Sequence, residues 1–371
     1  MPVFLHSNQS DPERRPGTPW LFDEPSAEFQ EQSSKCITIG LINNMPDGAL
    51  EATERQFLSL LDAASDGILI RLALYALPGV PRNEFGARHV KEFYASADNL
   101  LDTHLDGLIV TGREPLRPNL ADEPYWASFT RVLEWAKDNT HSTVWSCLAA
   151  HAAVLHMDGI GRIKSNDKHC GVFECTRVSD HALAANAPAL FTLPHSRWNG
   201  VPEKALTRHG YTVVTRTEDA GVDTFVKQLN SLFVFFQGHP EYESDTLLLE
   251  YRRDAWRFLK GETEKYPTLP RRYFDRHAAH TLTALREEAL LSRREELLAK
   301  VSTALANIRI ENTWRDTAAS IYKNWLDYIC AQKELRLKGA RFPVQSQGAA
   351  DLTPVLSTAM DAPAPGKWCQ A

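Results

Sequence analysis

The first half of the chain alternates between two hydrophobic patterns, and this alternation constrains the fold more than any other feature. Continuous apolar runs at residues 37–43 and 105–111 are typical of strands that are buried on both faces. Apolar residues at helical spacing follow at 49–64 and 125–138. Further strands are predicted at 68–75 and 143–146, and further helices at 90–101 and 148–156. Strands and helices in this order indicate right-handed parallel crossovers, and hence an α/β fold.

The second half of the chain predicts a smaller antiparallel part. Its strand-like segments are closely spaced, at 171–178, 211–216, 224–228 and 232–237. Residues 218–222 (EDAGV) indicate a hairpin turn between two of them. Helical patterns return at 245–259, at 276–310 as one long or broken amphipathic helix, and at about 316–332.

These patterns divide the chain into five segments. Residues 1–35 form a polar N-terminal arm, and residues 336–371 form a disordered tail without periodicity. Residues 36–275 form the α/β domain, which residues 312–335 complete as a C-terminal helix. Between these two parts, residues 276–311 are a helical insertion.

Charge and composition exclude several classes of protein. The chain has 41 basic and 47 acidic residues, and no cluster of lysine and arginine predicts a nucleic-acid partner. No apolar run approaches the ~20 residues that a membrane span needs, and the N-terminus has no secretory pattern. The six cysteines are sparse and follow no zinc spacing. We therefore expect a cytoplasmic protein that binds no membrane.

Two segments carry residues that are suited to covalent catalysis. Cys147 lies where a predicted strand ends and a predicted helix begins, so helix N-terminal amides can stabilise a thiolate. A buried structural cysteine is the simpler interpretation of this residue alone. Gly-His-Pro-Glu at 238–241 follows another apolar strand, so His239 also falls at a carboxyl end, with Glu241 able to orient it. Together these segments favour a nucleophile, a base and an orienting carboxylate.

Longer motifs resemble those of one known family. They are NNMPDGALEATERQFLSLL (43–61), KEFYASADNLLDTHLDGLIVTG (91–112), DEPYW (122–126), CLAAHA (147–152), KHCGVFE (168–174), PHSR (194–197), GHPEYESDTLLLEYRRD (238–254) and NTWR with NWLDY (within 312–328). With these motifs the chain resembles the homoserine O-acyltransferases of the succinyltransferase type. The resemblance implies a three-layer, flavodoxin-like domain similar to class I glutamine amidotransferases, with an antiparallel extension and a C-terminal helical insertion.

The resemblance also implies roles for residues outside the Cys-His-Glu set. Lys168, Ser196 and Arg253 match substrate-binding positions. Arg253 would bind the carboxylate of the acceptor amino acid, for which a guanidinium is suited. The amide of Leu148 would be an oxyanion donor. Without the family, solvated surface charge is the simpler interpretation of Lys168 and Arg253.

The sequence departs from the family pattern in three places. The nucleophile segment reads Cys-Leu-Ala-Ala-His-Ala where the family has Cys-Trp-Gly-Ala-Gln-Ala, so His151 either tunes the thiolate of Cys147 or merely lines the helix. After Gly112 the chain is one residue longer, which puts Arg117 at or beside the position that selects the acyl group. A cation there favours succinyl over acetyl. The insertion at 276–311 replaces a much shorter linker.

The resemblance therefore implies an acyltransferase that moves a succinyl group, in preference to acetyl, from acyl-CoA to the hydroxyl of L-homoserine. A cysteine acyl-enzyme, ping-pong kinetics and a role in methionine biosynthesis follow from it. Acyl-CoA is then a co-substrate, no cofactor or metal is expected to be bound, and a homodimer is expected. Alternatives are an L-serine acyltransferase, a glutamine amidotransferase-like cysteine hydrolase and a non-catalytic binding protein.

Overall fold

The computed structural model describes residues 3–5, 36–294, 296–306 and 308–339. The strands are β1 (Val3–Leu5), β2 (Cys36–Ile42), β3 (Leu69–Ala76), β4 (Ala95–Ser96), β5 (Gly107–Thr111), β6 (Ser142–Ser146), β7 (Ile163–Arg177), β8 (Leu190–Gly200), β9 (Thr212–Val213), β10 (Thr215–Thr217), β11 (Gly221–Val222), β12 (Thr224–Gln228) and β13 (Leu232–Phe236). The α-helices are α1 (Leu50–Ala64), α2 (Glu84–Phe93), α3 (Trp126–Asn139), α4 (Leu148–Asp158), α5 (Glu203–Arg208), α6 (Thr246–Leu259), α7 (Arg276–Leu291), α8 (Glu296–Ala306) and α9 (Arg315–Leu337).

A large, mostly parallel sheet forms the centre of the protein. Its strands follow the order β1-β3-β2-β5-β6-β13-β12-β9, with β4 paired beside β3. The pairs from β1 to β13 are parallel, whereas β12 and β9 continue the sheet antiparallel. Strands β6 and β13 are direct neighbours, and Ser146 pairs with Phe236 at their carboxyl ends. The predicted parallel sheet is confirmed.

Side chains of the central strands alternate between two hydrophobic cores, one on each face of the sheet. In β5, Ile109 packs into one core, while Leu108 and Val110 pack into the other. The first core also includes residues of α1, α6, α7, α8 and α9, and the second includes residues of α3, α4 and α5. The predicted three-layer architecture is therefore confirmed.

A second, antiparallel sheet is the predicted extension. Its order is β11-β10-β7-β8, and β10 turns into β11 through the predicted hairpin, with Thr217 opposite Gly221. Gly171 of β7 packs against the backbone of Arg271, where a β-carbon would come within 2.3 Å of a main-chain nitrogen. Strand β7 carries Lys168 and pairs antiparallel with β8, where Ser196 lies opposite Cys170.

One predicted helix has the wrong bounds in the structure. The helix expected over 90–101 ends at Phe93, because Tyr94 turns inward and donates its hydroxyl to Glu54. Residues 97–100 then form a short 3-10 helix. The segment predicted as a polar N-terminal arm includes Val3–Leu5, a buried strand that pairs with β3, and its remaining residues lie outside the described ones.

The C-terminal helical part follows the broken form of the prediction. The insertion is two helices, α7 and α8, and the chain is extended at Ser292 between them. Helix α9 continues to Leu337, and the rest of the predicted tail, from residue 340, lies outside the described residues. Within the described ranges, no helix combines the length and apolar character needed to cross a membrane.

Candidate active site

Cys147 forms a sharp junction between β6, which ends at Ser146, and α4, which begins at Leu148. Its backbone has φ 53° and ψ −113°, a strained conformation that residues with a β-carbon rarely adopt. The N–H of Cys147 donates to the carbonyl of Phe236 at 2.7 Å, which ties the junction to β13. The thiol is half-buried, and the turn is typical of an exposed nucleophile above a sheet edge.

His239 reaches Cys147 from the neighbouring strand. It follows β13 closely, and Cys147 lies near enough to raise the pKa of its imidazole. On the other side, His239 Nδ1 lies 2.8 Å from Glu241 Oε1, and both side chains are buried. The structure therefore brings the three residues of the predicted relay together.

The charge on this group of residues is set by two opposing effects. Burial alone lowers the pKa of His239, because desolvation disfavours the imidazolium. Interactions with Glu241 and Cys147 outweigh burial, and the pKa of His239 is raised well above its usual value. A histidine placed between a cysteine and a carboxylate is the arrangement that nucleophilic catalysis by cysteine uses.

The amides at the N-terminus of α4 lie against Gly112, the residue after β5. A β-carbon on Gly112 would come within 2.6 Å of the Leu148 nitrogen and 2.7 Å of the Ala149 nitrogen. Only glycine leaves room for this approach. Because the first amides of a helix have no acceptor within the helix, the N–H of Leu148 is available to a developing oxyanion beside Cys147.

Lys168, Ser196 and Arg253 meet at one cluster, which is centred on Glu250 of α6. Ser196 Oγ donates to Glu250 Oε2, and Lys168 Nζ lies 3.6 Å from the same oxygen. Lys168 Nζ is also 3.6 Å from Asp254 Oδ2, and Arg253 Nε donates to Asp254 Oδ1 at 2.8 Å. We call these five residues the acceptor cluster.

Tyr242 joins this cluster to the catalytic candidates. Its ring stacks on His239, and its hydroxyl donates to Glu250 at 2.7 Å. Burial, then the charges of Glu250 and Glu241, raise the pKa of Tyr242 well above its usual value, so the phenol stays neutral. Tyr242 and Glu250 both lie in the motif 238–254, but the motif alone predicted no role for either residue. The spacing of Glu250 and Arg253, about one helical turn, was the one sign in the sequence that Glu250 lies on the same helix face as Arg253.

Arg113 lines a groove at the N-terminus of α4. Arg117, which the family resemblance put at or beside the acyl-selecting position, does not line it. Arg117 is exposed, and its backbone N–H is held by Glu123 at 2.7 Å. Arg113 lines the groove beside Leu148, and its buried Nε has no hydrogen-bond partner in the described part of the chain. The remaining lining side chains belong to Asn44, Thr111, Leu120, Tyr125, Trp126, Phe129, Ala149 and Ala152.

His151 belongs to a buried hydrogen-bond network. Its Nε2 lies 2.9 Å from Gln237 Oε1, while Gln237 Nε2 donates to Val222 O. Gln237 Oε1 can only accept a hydrogen bond, so His151 Nε2 carries the proton. Burial lowers the pKa of His151 to about 3, so the ring is neutral. These contacts favour a structural role for His151 over the tuning of the thiolate.

Two groups of side chains in the described residues have ligand atoms close enough to hold a metal ion, namely His104 with Asp106 and His141, and Cys175 with His195 and Asp223. In the first group, Lys333 Nζ already lies 2.8 Å from Asp106. In the second, Arg197 Nε donates to His195 at 3.2 Å, and burial raises the pKa of the Cys175 thiol well above its usual value. Cationic neighbours and a protonated thiol do not favour a metal in either group.

Comparison with known proteins places the chain in one family. The sequence model of the homoserine O-succinyltransferase family matches residues 21–336. A homoserine O-succinyltransferase of Methylorubrum extorquens is 44% identical over 301 residues, which are 81% of this chain and 89% of the relative. One of Rhodopseudomonas palustris is 45% identical over 300 residues, covering 81% and 90%.

Solved glutamine amidotransferases resemble the structure more distantly. The one from Methylobacillus flagellatus has a TM-score of 0.44 at 15% identity, covering 79% of this chain and 95% of that one. The one from Thermotoga maritima has a TM-score of 0.41 at 12% identity, covering 79% and 98%.

The sequence matches define the class of the protein, which is an acyltransferase. The chain belongs to the homoserine O-succinyltransferase family, so the resemblance found in its motifs is confirmed.

Proposed function

We propose that the protein transfers the succinyl group of succinyl-CoA to the side-chain hydroxyl of L-homoserine through an acyl-enzyme on Cys147. The product is O-succinyl-homoserine, which the proposal places in methionine biosynthesis. The observation that carries the proposal is the placement of Cys147, at a strained turn, beside His239, which Glu241 orients: the two residues follow neighbouring strands whose ends pair at Ser146 and Phe236. Membership of the family supports the choice of substrates.

The first half-reaction uses the thiolate of Cys147. Its sulfur attacks the thioester carbonyl, and the carbonyl oxygen becomes an oxyanion beside the N–H of Leu148. As the carbonyl reforms, the bond to the sulfur of CoA breaks, and the CoA thiolate takes the proton of His239. The protein now carries a succinyl thioester and a neutral imidazole.

The second half-reaction uses that neutral imidazole as the base. His239 takes the proton of the homoserine hydroxyl, whose oxygen attacks the thioester carbonyl. The carbon–sulfur bond breaks, the ester leaves, and the Cys147 thiolate is restored beside imidazolium. Because one nucleophile serves both steps, we expect ping-pong kinetics. These steps require no resident metal or prosthetic group.

The acceptor cluster supplies groups of both charges for an amino acid. The side chain of Arg253 is 57% exposed, so its guanidinium is accessible to a carboxylate. Glu250 and Asp254 are suited to the ammonium group of the same molecule. Coulombic attraction by these carboxylates outweighs burial and raises the pKa of Lys168, so Lys168 stays cationic between them.

Arg113 is the candidate partner for the free carboxylate of the succinyl group. It lines the groove next to Leu148, where the acyl chain would lie once bound to Cys147. A buried guanidinium nitrogen without a partner costs free energy, which a carboxylate would offset. An acetyl group has no such carboxylate.

A CoA-release assay tests the proposal, with succinyl- or acetyl-CoA against L-homoserine or L-serine. We expect release to be fastest with succinyl-CoA and homoserine. Preference for serine would establish the related acyltransferase instead, and glutamine hydrolysis without CoA release would establish a cysteine hydrolase. A cytoplasmic location and a homodimer are parts of the proposal that fractionation and light scattering would test.

A further inference from the structure

A buried histidine–aspartate pair lies beneath the turn that carries His239. His195 of β8 and Asp223, between β11 and β12, are both fully buried, with His195 Nε2 3.3 Å from Asp223 Oδ1. We infer that His195 and Asp223 are positioning residues, which hold the Gly238–His239 turn so that the imidazole faces Cys147. The inference rests on the proposed function, since it takes His239 as the base.

The carboxylate of Asp223 accepts hydrogen bonds at both of its oxygens. Oδ2 accepts from Thr215 Oγ1 at 2.8 Å and from Thr224 Oγ1 at 2.7 Å. Oδ1 accepts from the backbone N–H of Gly238 at 3.1 Å. Although burial opposes ionisation, interactions with His195 and these hydroxyls lower the pKa of Asp223. The turn is therefore bonded to a buried anion that stays ionised.

The neighbours of His195 determine which of its nitrogens carries the proton. Arg197 Nε lies 3.2 Å from His195 Nδ1, and because a guanidinium only donates, Nδ1 accepts. The proton is then on Nε2, which faces Asp223. Burial lowers the pKa of His195 to about 4, so the ring is neutral at physiological pH. The pair is thus a fixed support and does not titrate with the catalytic residues.

Gly238 rests directly on this pair. A β-carbon on Gly238 would lie 2.7 Å from Asp223 Oδ1 and 3.0 Å from His195 Nε2. Any other residue here would displace either the turn or the pair. The glycine of the GHPE motif is accordingly needed for close packing onto His195 and Asp223.

Strand β8 links the same turn to the acceptor cluster. The backbone N–H of His239 donates to the carbonyl of Pro194 at 2.8 Å. On the other side of His195, Ser196 donates to Glu250. Three consecutive residues of β8 therefore have separate contacts. Pro194 binds the backbone of the base, His195 supports its turn, and Ser196 belongs to the acceptor cluster. A shift of β8 would move the base and the cluster together.

The test compares Asp223→Ala with Asp223→Asn in the full chain, using two measurements. One is the rate at which iodoacetamide alkylates Cys147, and the other is the rate of acyl-enzyme formation with succinyl-CoA, followed by intact mass. We expect Asp223→Ala to slow both by about 10- to 100-fold, since a misplacement of about 1 Å has an effect of this size. Asp223→Asn keeps an oxygen for Gly238, so we expect it to recover both rates to within about fivefold of wild type.

Asp106→Asn is the matched control for loss of a buried carboxylate. Asp106 also accepts a backbone N–H, that of Thr38. It precedes β5 and so lies at the amino ends of the parallel strands, whereas Cys147 lies at their carboxyl ends. We expect the Asp106→Asn variant to have a lower melting temperature and wild-type values of both rates. A slowing by Asp223→Ala no greater than that of Asp106→Asn would overturn the inference, as would a failure of Asp223→Asn to recover the rates.

Two further variants keep the result unambiguous. If Asp223→Ala does not fold, Gly238→Ala tests the same contact, and wild-type rates in that variant would overturn the inference. His239→Asn separates the inference from the proposed function. If it leaves both rates unchanged, the proposed function fails. If it slows them while Asp223→Ala does not, only the inference fails.

Discussion

The ring of Tyr242 lies against the imidazole of His239, with centroids 4.2 Å apart and planes inclined by 18°. The hydroxyl of Tyr242 donates to one oxygen of Glu250, and Ser196 donates to the other. One side chain therefore contacts both the proposed base and the acceptor cluster. The two contacts involve different parts of the residue, the ring and the hydroxyl, so mutations can separate them.

Tyr242→Phe should affect the second half-reaction selectively. It keeps the ring against His239 and removes the hydrogen bond to Glu250, which is worth about 1 kcal/mol, or roughly fivefold in rate. We expect transfer to homoserine to slow by that factor and acyl-enzyme formation to stay near wild type in single-turnover measurements. Tyr242→Leu, which also removes the ring, should slow both steps. Equal slowing of both by Tyr242→Phe would contradict separate roles.

Cys147→Ala should abolish the covalent intermediate. Intact-mass measurement of wild type with succinyl-CoA and no acceptor should show one succinyl adduct, because the thiolate attacks and nothing removes the acyl group. Cys36→Ala is the control, since Cys36 is also half-buried but begins β2, at the amino end of the sheet. An adduct that persists in Cys147→Ala would rule out this nucleophile.

Glu241→Gln should change how stability depends on pH. The raised pKa of His239 means that the folded state holds a proton which the unfolded state releases above about 6.5. This contribution is fully present below pH 6.5 and is lost as the pH rises through the folded-state pKa. We expect the free energy of unfolding of wild type to exceed that of Glu241→Gln most below pH 6.5, and the difference to shrink as the pH rises through the folded-state pKa of His239.

The slope of that difference is limited to about 1.4 kcal/mol per pH unit for one proton. Denaturant titrations at half-unit steps would measure it. Cys147 also interacts with His239, so each variant is compared with wild type at every pH. A difference that is constant or grows with pH would show that Glu241 does not hold the proton of His239.

The sequence predicted the junctions at Cys147 and His239 because their signals are local. An apolar strand that runs into a small-residue helix, or into a GHPE turn, indicates a carboxyl edge. Strand β8 was missed, since its centre is Pro194 followed by three polar residues, without apolar alternation. Proline is tolerated there because β8 is an edge strand of its sheet.

Contacts between distant segments could not be predicted in this way. Ser196 of β8 donates to Glu250 of α6 across 54 residues of the chain, and nothing in either segment indicates that contact. The position of the Arg117 side chain could not be predicted either, because it depends on the geometry of its loop. Alignment of the loop with the family pattern predicted that the Arg117 side chain lies near the acyl group. In the structure, Glu123 accepts hydrogen bonds from the backbone amides of Leu116 and Arg117, and the Arg117 side chain is exposed.

Arg253→Lys should weaken binding of the acceptor. Lysine keeps the charge but cannot form two parallel hydrogen bonds with a carboxylate. A charge-assisted hydrogen bond contributes roughly 1.5–3 kcal/mol, so we expect kcat/KM for homoserine to fall about 10- to 150-fold while acyl-enzyme formation is unchanged. Arg252→Lys is the control, because Arg252 is exposed next to it on α6 and faces Trp256. Equal loss in both half-reactions would assign Arg253 to the fold or to CoA.

The donor preference should depend on Arg113 more than on Arg117. The two arginines lie in one loop, but only Arg113 lines the groove beside Leu148, with a buried nitrogen that has no partner among the described residues. Arg113→Glu should therefore lower kcat/KM for succinyl-CoA relative to acetyl-CoA by about 10- to 150-fold, as expected for loss of a charge-assisted contact with a carboxylate. Arg117→Glu makes the same change of charge at an exposed position and should leave the ratio within about twofold, since surface charges interact weakly.

The ratio of the two kcat/KM values separates the possible roles of Arg113, because each donor carries the same CoA. If Arg113→Glu lowers both donors equally, the guanidinium binds CoA and not the acyl group. If Arg117→Glu shifts the ratio and Arg113→Glu does not, the loop moves on binding and the expectation from the family resemblance is right. A shift confined to Arg113→Glu would mean that this chain recognises its acyl carboxylate four residues before the position expected from the family resemblance, with a cation directly beside the helix that carries the nucleophile.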